Sequence, residues 1–282
     1  MLIINESAFS SVTFDQFEIT NVMFIHEKAF GKTASTIKNF TSNSVINTNS
    51  TNYDLWKAIK SLINLQFIKI QMSTSEIPTQ AFASKNLAEI EFRSDVYHEK
   101  ITIRRNAFYN LDNLTKLKLN LLCYNNLIEK EAFSMDKRSS KRLDLTFEAT
   151  FWTKPVEFSL RSFDGIQRSI TINFNGEHLK IIPETVFGFI LNDTNNNIIF
   201  KNFPSSIDCT NCSNYWMIRD GKDNQISNAI CKNSIQNTLF SKQTKSNLKT
   251  KCTGSSGASN SVSYFCNKFI FTILLINYFF TK

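Results

Sequence analysis

The sequence predicts an α/β solenoid: about eight stacked coils sharing one curved parallel sheet, closed at the C-terminal end by a disulfide-bonded cap. Three observations carry that expectation. One phrase, an aliphatic residue, three variable positions and then Ala-Phe, recurs through residues 1–205. A second phrase of alternating apolar residues keeps step with it. Four cysteines then crowd into residues 206–252.

The first phrase reads Ile4…Ala8-Phe9, Ile25…Ala29-Phe30, Ile77…Ala81-Phe82, Ile103…Ala107-Phe108 and Ile128…Ala132-Phe133. Looser copies are Phe158…Ser162-Phe163 and Ile182…Val186-Phe187. Trp56 falls midway between Phe30 and Phe82, and with it the anchors are spaced 21, 26, 26, 26, 25, 30 and 24 residues apart. A period of that size marks a repeat whose single unit cannot bury its own apolar residues, so that neighbouring coils must stack. The Ala is small where a return segment crowds its neighbour, and the Phe fills the space between coils.

The second phrase gives the pairs Phe17/Ile19, Ile68/Ile70, Ile90/Phe92, Leu117/Leu119, Leu143/Leu145, Ile170/Ile172 and Ile198/Phe200. Period-2 alternation is the mark of a short strand with one buried face. The copy around Ile37 and Phe40 is degenerate, with Asn and Ser where its pair belongs. If the pairs point inward, their alternate neighbours point out onto the concave sheet. That grid is Glu89, Glu91 and Arg93, then Lys116, Lys118 and Asn120, then Arg142, Asp144 and Thr146, then Ser169, Thr171 and Asn173. A mixed-charge centre of this kind is the expected partner-binding surface; a solvated face of salt-bridged neighbours is the competing reading.

Composition supports the regular coil. The chain has 26 Phe but only 7 Gly and 4 Pro, too few turn-formers for a sandwich or barrel. The net charge of +8 suggests nucleic acid or membrane until it is located. Seven lysines and no acidic residue lie between Lys232 and Lys282, which leaves residues 1–231 nearly neutral. No recognised nucleic-acid module accompanies that tail, so nucleic-acid binding is not expected.

Cys209, Cys212, Cys231 and Cys252 read as a local disulfide framework in an oxidising compartment. A zinc ribbon would need a second Cys-x-x-Cys pair, and Cys231 and Cys252 are 21 residues apart. The repeat Leu-x-x-Leu-x-Leu with its Ile-x-x-x-Ala-Phe return resembles the extracellular leucine-rich-repeat family. The segment Cys209-Thr-Asn-Cys212-Ser-Asn-Tyr-Trp216, with Cys231 and Cys252, resembles that family's C-terminal cap. The resemblance implies pairing of the first cysteine with the third and the second with the fourth, and a buried Trp closing the core. Repeats and cap together are similar to arthropod secreted proteins related to the non-catalytic subunit of a shrimp luciferin monooxygenase.

The two ends differ. Met1 leads straight into a repeat phrase without the charged and apolar regions of a signal peptide or an N-terminal cap. The first coil is therefore expected to expose an apolar edge, as in a partial chain or one with a misplaced start. Residues 253–268 form a small and polar spacer, and 269–282 a hydrophobic tail whose apolar run is Phe269–Phe280. As a helix that run spans about 18 Å against a hydrocarbon core of about 30 Å. A lipid-anchor signal with Ser255, Ser256 or Gly257 as attachment sites, a short transmembrane tail and an apolar end without function stay open.

Catalysis is not expected. His26, His98 and His178 fall in different coils, and no nucleophile phrase, phosphate-cradling Gly-rich loop or zinc-type His pair occurs. No cofactor or metal is expected. Cys123 reads as a small buried hydrophobe. Six Asn-x-Ser/Thr sequons, at Asn5, Asn39, Asn49, Asn113, Asn192 and Asn211, permit glycosylation. The expected function is an extracellular or cell-surface module that binds a protein or glycan partner through the concave sheet. The alternative is a non-catalytic subunit stabilising a secreted enzyme.

Overall fold

A computed structural model describes residues 2–47, 52–94, 100–122, 125–135, 139–148, 156–176, 179, 181–201, 206–232, 237–239 and 242–253. Nine strands form one parallel sheet in chain order: Gln16–Ile19, Asn39–Asn47, Phe67–Ser73, Glu89–Ser94, Lys116–Asn120, Leu143–Glu148, Ile170–Asn175, Asn197–Lys201 and Ile226–Ser227. A second line of short parallel strands, Glu76–Ile77, Lys100–Ile103, Asn125–Ile128 and Glu157–Phe158, alternates with them along the chain, and one hydrophobic core joins both. Strict sequential order with parallel pairing is what a stacked coil produces.

The anchor residues build the core as expected. Ala29, Ala81, Ala107 and Ala132 are fully buried. Phe82, Phe108, Phe133 and Phe163 stack with centroids 6.1, 5.6 and 5.1 Å apart and rings within 16° of parallel. Trp56 begins this stack edge-on to Phe82 at 6.0 Å, and its buried indole Nε1 has no hydrogen-bond partner among the described residues. The first coil behaves differently: Ala8 is exposed and Phe9 half-buried, because only one neighbour covers them.

The residue before Ala8, Ala81, Ala107, Ala132 and Ser162 has a left-handed backbone, at Ser7, Gln80, Asn106, Glu131 and Arg161, with φ between 50° and 63°. That conformation turns its N–H along the solenoid. Gln80 N donates to the Asn106 carbonyl at 2.9 Å, Asn106 N to Glu131 at 3.0 Å and Glu131 N to Arg161 at 3.0 Å. A coil-to-coil ladder thus runs along the turns as well as along the sheet, satisfying backbone groups that would otherwise be orphaned.

The degenerate copy keeps its place in the sheet, and one register expectation needs correction. The degenerate copy still forms the strand Asn39–Asn47, with Phe40 fully buried and Ser42 in the second inward position. The Ser42 hydroxyl is satisfied by donating to the Ser44 carbonyl at 2.7 Å, and the strand bulges between Thr41 and Val45 before Ile46 re-enters the core. Further along, Leu117 and Leu119 align with Leu145/Phe147 rather than Leu143/Leu145, and these in turn with Ile172/Phe174. A third inward residue on each strand, Leu143 or Ile170, extends the alternation by one step and hides the true register in the sequence.

The cap closes the last coil. Trp216 is buried and its Nε1 donates to the Ile182 carbonyl at 2.8 Å, while buried Asn214 accepts from Ile182 N at 2.9 Å. Both backbone groups of Ile182, which a further coil would take, are therefore satisfied. Disulfides join Cys209 to Cys231 and Cys212 to Cys252, the first-with-third and second-with-fourth pairing implied by the cap resemblance. The second fastens the helix Lys242–Thr253, which also holds on through Lys245 and Asp223 at 2.6 Å.

Candidate functional site

Inward Ile, Leu and Phe side chains force their alternates onto the outer face of the nine-stranded sheet, and parallel pairing lines those alternates up in rows. One row runs Glu89, Lys116, Asp144, Thr171; the next Lys69, Glu91, Lys118, Thr146, Asn173; the third Gln71, Arg93, Asn120, Glu148, Asn175. Opposite charges alternate from strand to strand. Lys116 meets Glu89 at 2.7 Å, and Lys118 sits between Glu91 at 3.5 Å and Glu148 at 3.1 Å. Glu91 also meets Lys69 at 3.5 Å.

The hydrogen bond that the Lys116 ammonium donates to Glu89 holds its pKa above the ordinary lysine range. Burial works against the charged form of Lys118, but its hydrogen bond to Glu148 and the fields of Glu148 and Glu91 outweigh it, so its pKa is also raised. Both lysines are thus firmly cationic at neutral pH.

At the centre the face is hollow, with a volume of about 380 Å³ bordered by Lys69, Gln71, Glu91, Arg93, Lys118, Asn120 and Glu148. Arg93 is exposed and, among the described residues, its guanidinium has neither a carboxylate nor a hydrogen-bond partner. Asn120 donates to Glu148 at 3.4 Å, while its buried Oδ1 has no partner among the described residues.

Sequence reasoning placed Glu89, Glu91, Arg93, Lys116, Lys118, Asn120 and Asp144 on this face, and the structure brings them together there. It corrects three others. Thr171 and Asn173 are buried, with 7% and 3% of their surface exposed. Arg142 precedes its strand and reaches sideways, donating to Thr171 Oγ1 at 2.7 Å and the Asn195 carbonyl at 2.5 Å. It both covers Thr171 and is itself engaged. Short side chains between longer neighbours sink below the surface of a packed sheet. Lys69, Gln71 and Glu148 were missed; the alternation that puts Phe147 inside puts Glu148 outside, so the signal was present.

Other candidates separate. His26 Nδ1 accepts from Lys28 N at 3.2 Å and its ring packs edge-on to Tyr53, a structural turn. Among the described residues no three His, Cys, Asp or Glu side chains gather as a metal site, and no helix is long and apolar enough to cross a membrane. His98, His178, Cys123, Cys266, Asn49, the attachment candidates Ser255, Ser256 and Gly257, and the run 269–280 lie outside the described residues.

The BspA type leucine rich repeat region matches the chain in six copies, over residues 2–139 and 56–187. No curated protein matches it.

Proposed function

Because the chain belongs to the BspA-type leucine-rich-repeat family, we propose that it is an extracellular or cell-surface module that binds a protein partner through the outer face of its long sheet. The carrying observation is the hollow whose charged lining spans four adjacent strands, in which Lys69, Glu91, Lys118 and Glu148 neutralise one another and Arg93 is left over. A partner carboxylate reaching into the hollow would pair with Arg93 through a bidentate, charge-assisted contact. The fixed charges around it would set register and discourage wrong partners. Two disulfides and a cap resembling that of secreted repeat proteins support the extracellular reading. The tail 269–282 would then tether the module to a membrane by a lipid anchor or a short span.

Photo-cross-linking from two positions tests this reading. A photoreactive residue in place of Gln71, on the long-sheet face, should capture a defined partner on living cells; one in place of Lys100, on the second line of strands, should not. Capture only from position 100, or the same set of proteins from both, would contradict it. A partner that brings an enzymatic activity lost on its removal would identify the chain as the stabilising subunit.

A further inference from the structure

Phe189 is the most exposed large apolar side chain among the described residues, 63% open to solvent, and no ring contact covers it. It stands three residues before Asn192, which opens the sequon Asn192-Asp193-Thr194. None of the other five sequons has an aromatic residue at that offset. The 3-10 turn Ile190–Asn192 follows directly, closed by Asn192 N donating to the Phe189 carbonyl at 3.3 Å. In such a turn side chains three apart eclipse, so the ring and the Asn192 amide share one face. Both border a hollow of about 730 Å³.

We infer that Asn192 is an N-glycosylation site whose first sugar packs on the Phe189 ring. Asn192 and Thr194 are exposed, and neither side chain has a hydrogen-bond partner among the described residues, which leaves the amide nitrogen and the hydroxyl accessible. The carboxylate between them is turned aside: Asp193 Oδ1 accepts from Asn195 N at 2.9 Å and Asn195 Nδ2 at 3.0 Å. Transfer from a polyprenyl-pyrophosphate-linked oligosaccharide joins Asn192 Nδ2 to the anomeric carbon of N-acetylglucosamine. The C1–O bond breaks, pyrophosphate leaves with its electron pair, and Nδ2 gives up one proton to the transferase. The C–H groups of the sugar then cover an aromatic face that otherwise costs hydration.

Of the other sequons, Asn49 lies outside the described residues, and the remaining four are engaged or half-buried. Asn113 is held in the coil ladder, donating to the Lys85 carbonyl at 2.9 Å and accepting from Lys141 at 3.2 Å. Asn211 caps a turn by accepting from Ser213 N at 2.9 Å, beside the disulfide-bonded Cys212. Asn39 lies half-buried within the long sheet. Asn5 is exposed, with its Oδ1 accepting from the Tyr53 hydroxyl at 3.2 Å.

This inference rests on the extracellular reading, since the transferase works in the secretory pathway. The test expresses the full chain in insect cells behind a cleavable leader, maps glycopeptides, and removes glycans with peptide:N-glycosidase. Asn192 should be occupied and Asn113 bare. Deglycosylation should lower Tm by about 2–4 °C, the shift of a contact near 1 kcal/mol in a domain of this size. Phe189→Ala should reduce occupancy of Asn192 and abolish most of that Tm difference. Secreted, disulfide-bonded protein glycosylated at Asn5 but bare at Asn192 would overturn the inference and leave the extracellular reading standing. So would a Tm loss equal in Phe189→Ala and parent. A chain retained in the cell with reduced cysteines and six bare sequons would overturn both.

Discussion

Phe108 lies flat between Phe82 and Phe133 and is fully buried, so its removal leaves a gap that two rings cannot collapse to fill. Phe108→Ala should cost about 3–5 kcal/mol in urea unfolding, and a loss no larger than that of a surface substitution would refute the stacked core. The Ala-Phe positions were legible because size and period both mark them. The left-handed residue before five of the small anchors was not, since it is Ser7, Gln80, Asn106, Glu131 or Arg161 and never a glycine. At Gln80, φ is +50° and the side chain is exposed, so Gln80→Gly removes backbone strain. The left-handed penalty of about 1–2 kcal/mol exceeds the entropy cost of glycine, about 0.5–1 kcal/mol. The variant should therefore be more stable than the parent by several tenths of a kcal/mol, where Gln80→Val should be less stable; the reverse order would show that position 80 carries no strain. Arg168 was equally hidden. Its guanidinium, almost wholly buried, donates to the carbonyls of Leu111 and Leu114 at 2.8 and 2.6 Å, two coils away. Burial pulls its pKa below the usual arginine value, with Asp112 opposing.

At the scale of elements, the strand pairs were readable but their register was not, because a run such as Leu143-Asp-Leu-Thr-Phe147 offers two equally apolar pairs. Only pairing with Leu117 and Leu119 selects Leu145 and Phe147. The cap was legible from its cysteines and Trp216. Its terminal helix Lys242–Thr253 buries Leu248 but is mostly polar, so it depends on Cys252 and the Lys245–Asp223 pair. Replacing Cys212 and Cys252 by Ser should cost about 2–5 kcal/mol and open that helix to limited proteolysis while the sheet stays resistant. Cleavage spread evenly over the chain would contradict this. Asp208 supplies a pH-dependent part of the cap. The Thr210 hydroxyl donates to its carboxylate at 2.7 Å and Thr210 N at 2.9 Å, so its pKa lies below the ordinary 3.8. A depressed carboxylate stabilises the fold fully above its unfolded pKa, and this contribution disappears as pH falls through the folded value. The stability gap between parent and Asp208→Asn should therefore be constant near neutrality and shrink below about pH 3.8; a gap independent of pH down to the folded value would count against this role.

For the whole molecule, the repeat and its outward grid were legible, and most of the face follows from alternation alone. What alternation omits is depth and reach. It could not show that Arg142 leaves the sheet for Asn195, that Thr171 and Asn173 sink, or that Arg93 alone among the cations bordering the hollow goes without a carboxylate. That last feature also selects the variant. Lys118→Glu would set a third carboxylate against Glu91 and Glu148 and disturb the fold as well as binding, whereas Arg93→Glu breaks no ion pair among the described residues. The decisive measurement is the affinity of the partner captured through position 71 for Arg93→Glu, with Lys100→Glu as a charge-matched control on the other line of strands. Binding through the long-sheet face predicts unchanged Tm for Arg93→Glu and a Kd raised at least about tenfold, near 1.4 kcal/mol, with Lys100→Glu like the parent. Parent-like affinity in Arg93→Glu together with weakened binding in Lys100→Glu would place the partner on the opposite side of the solenoid.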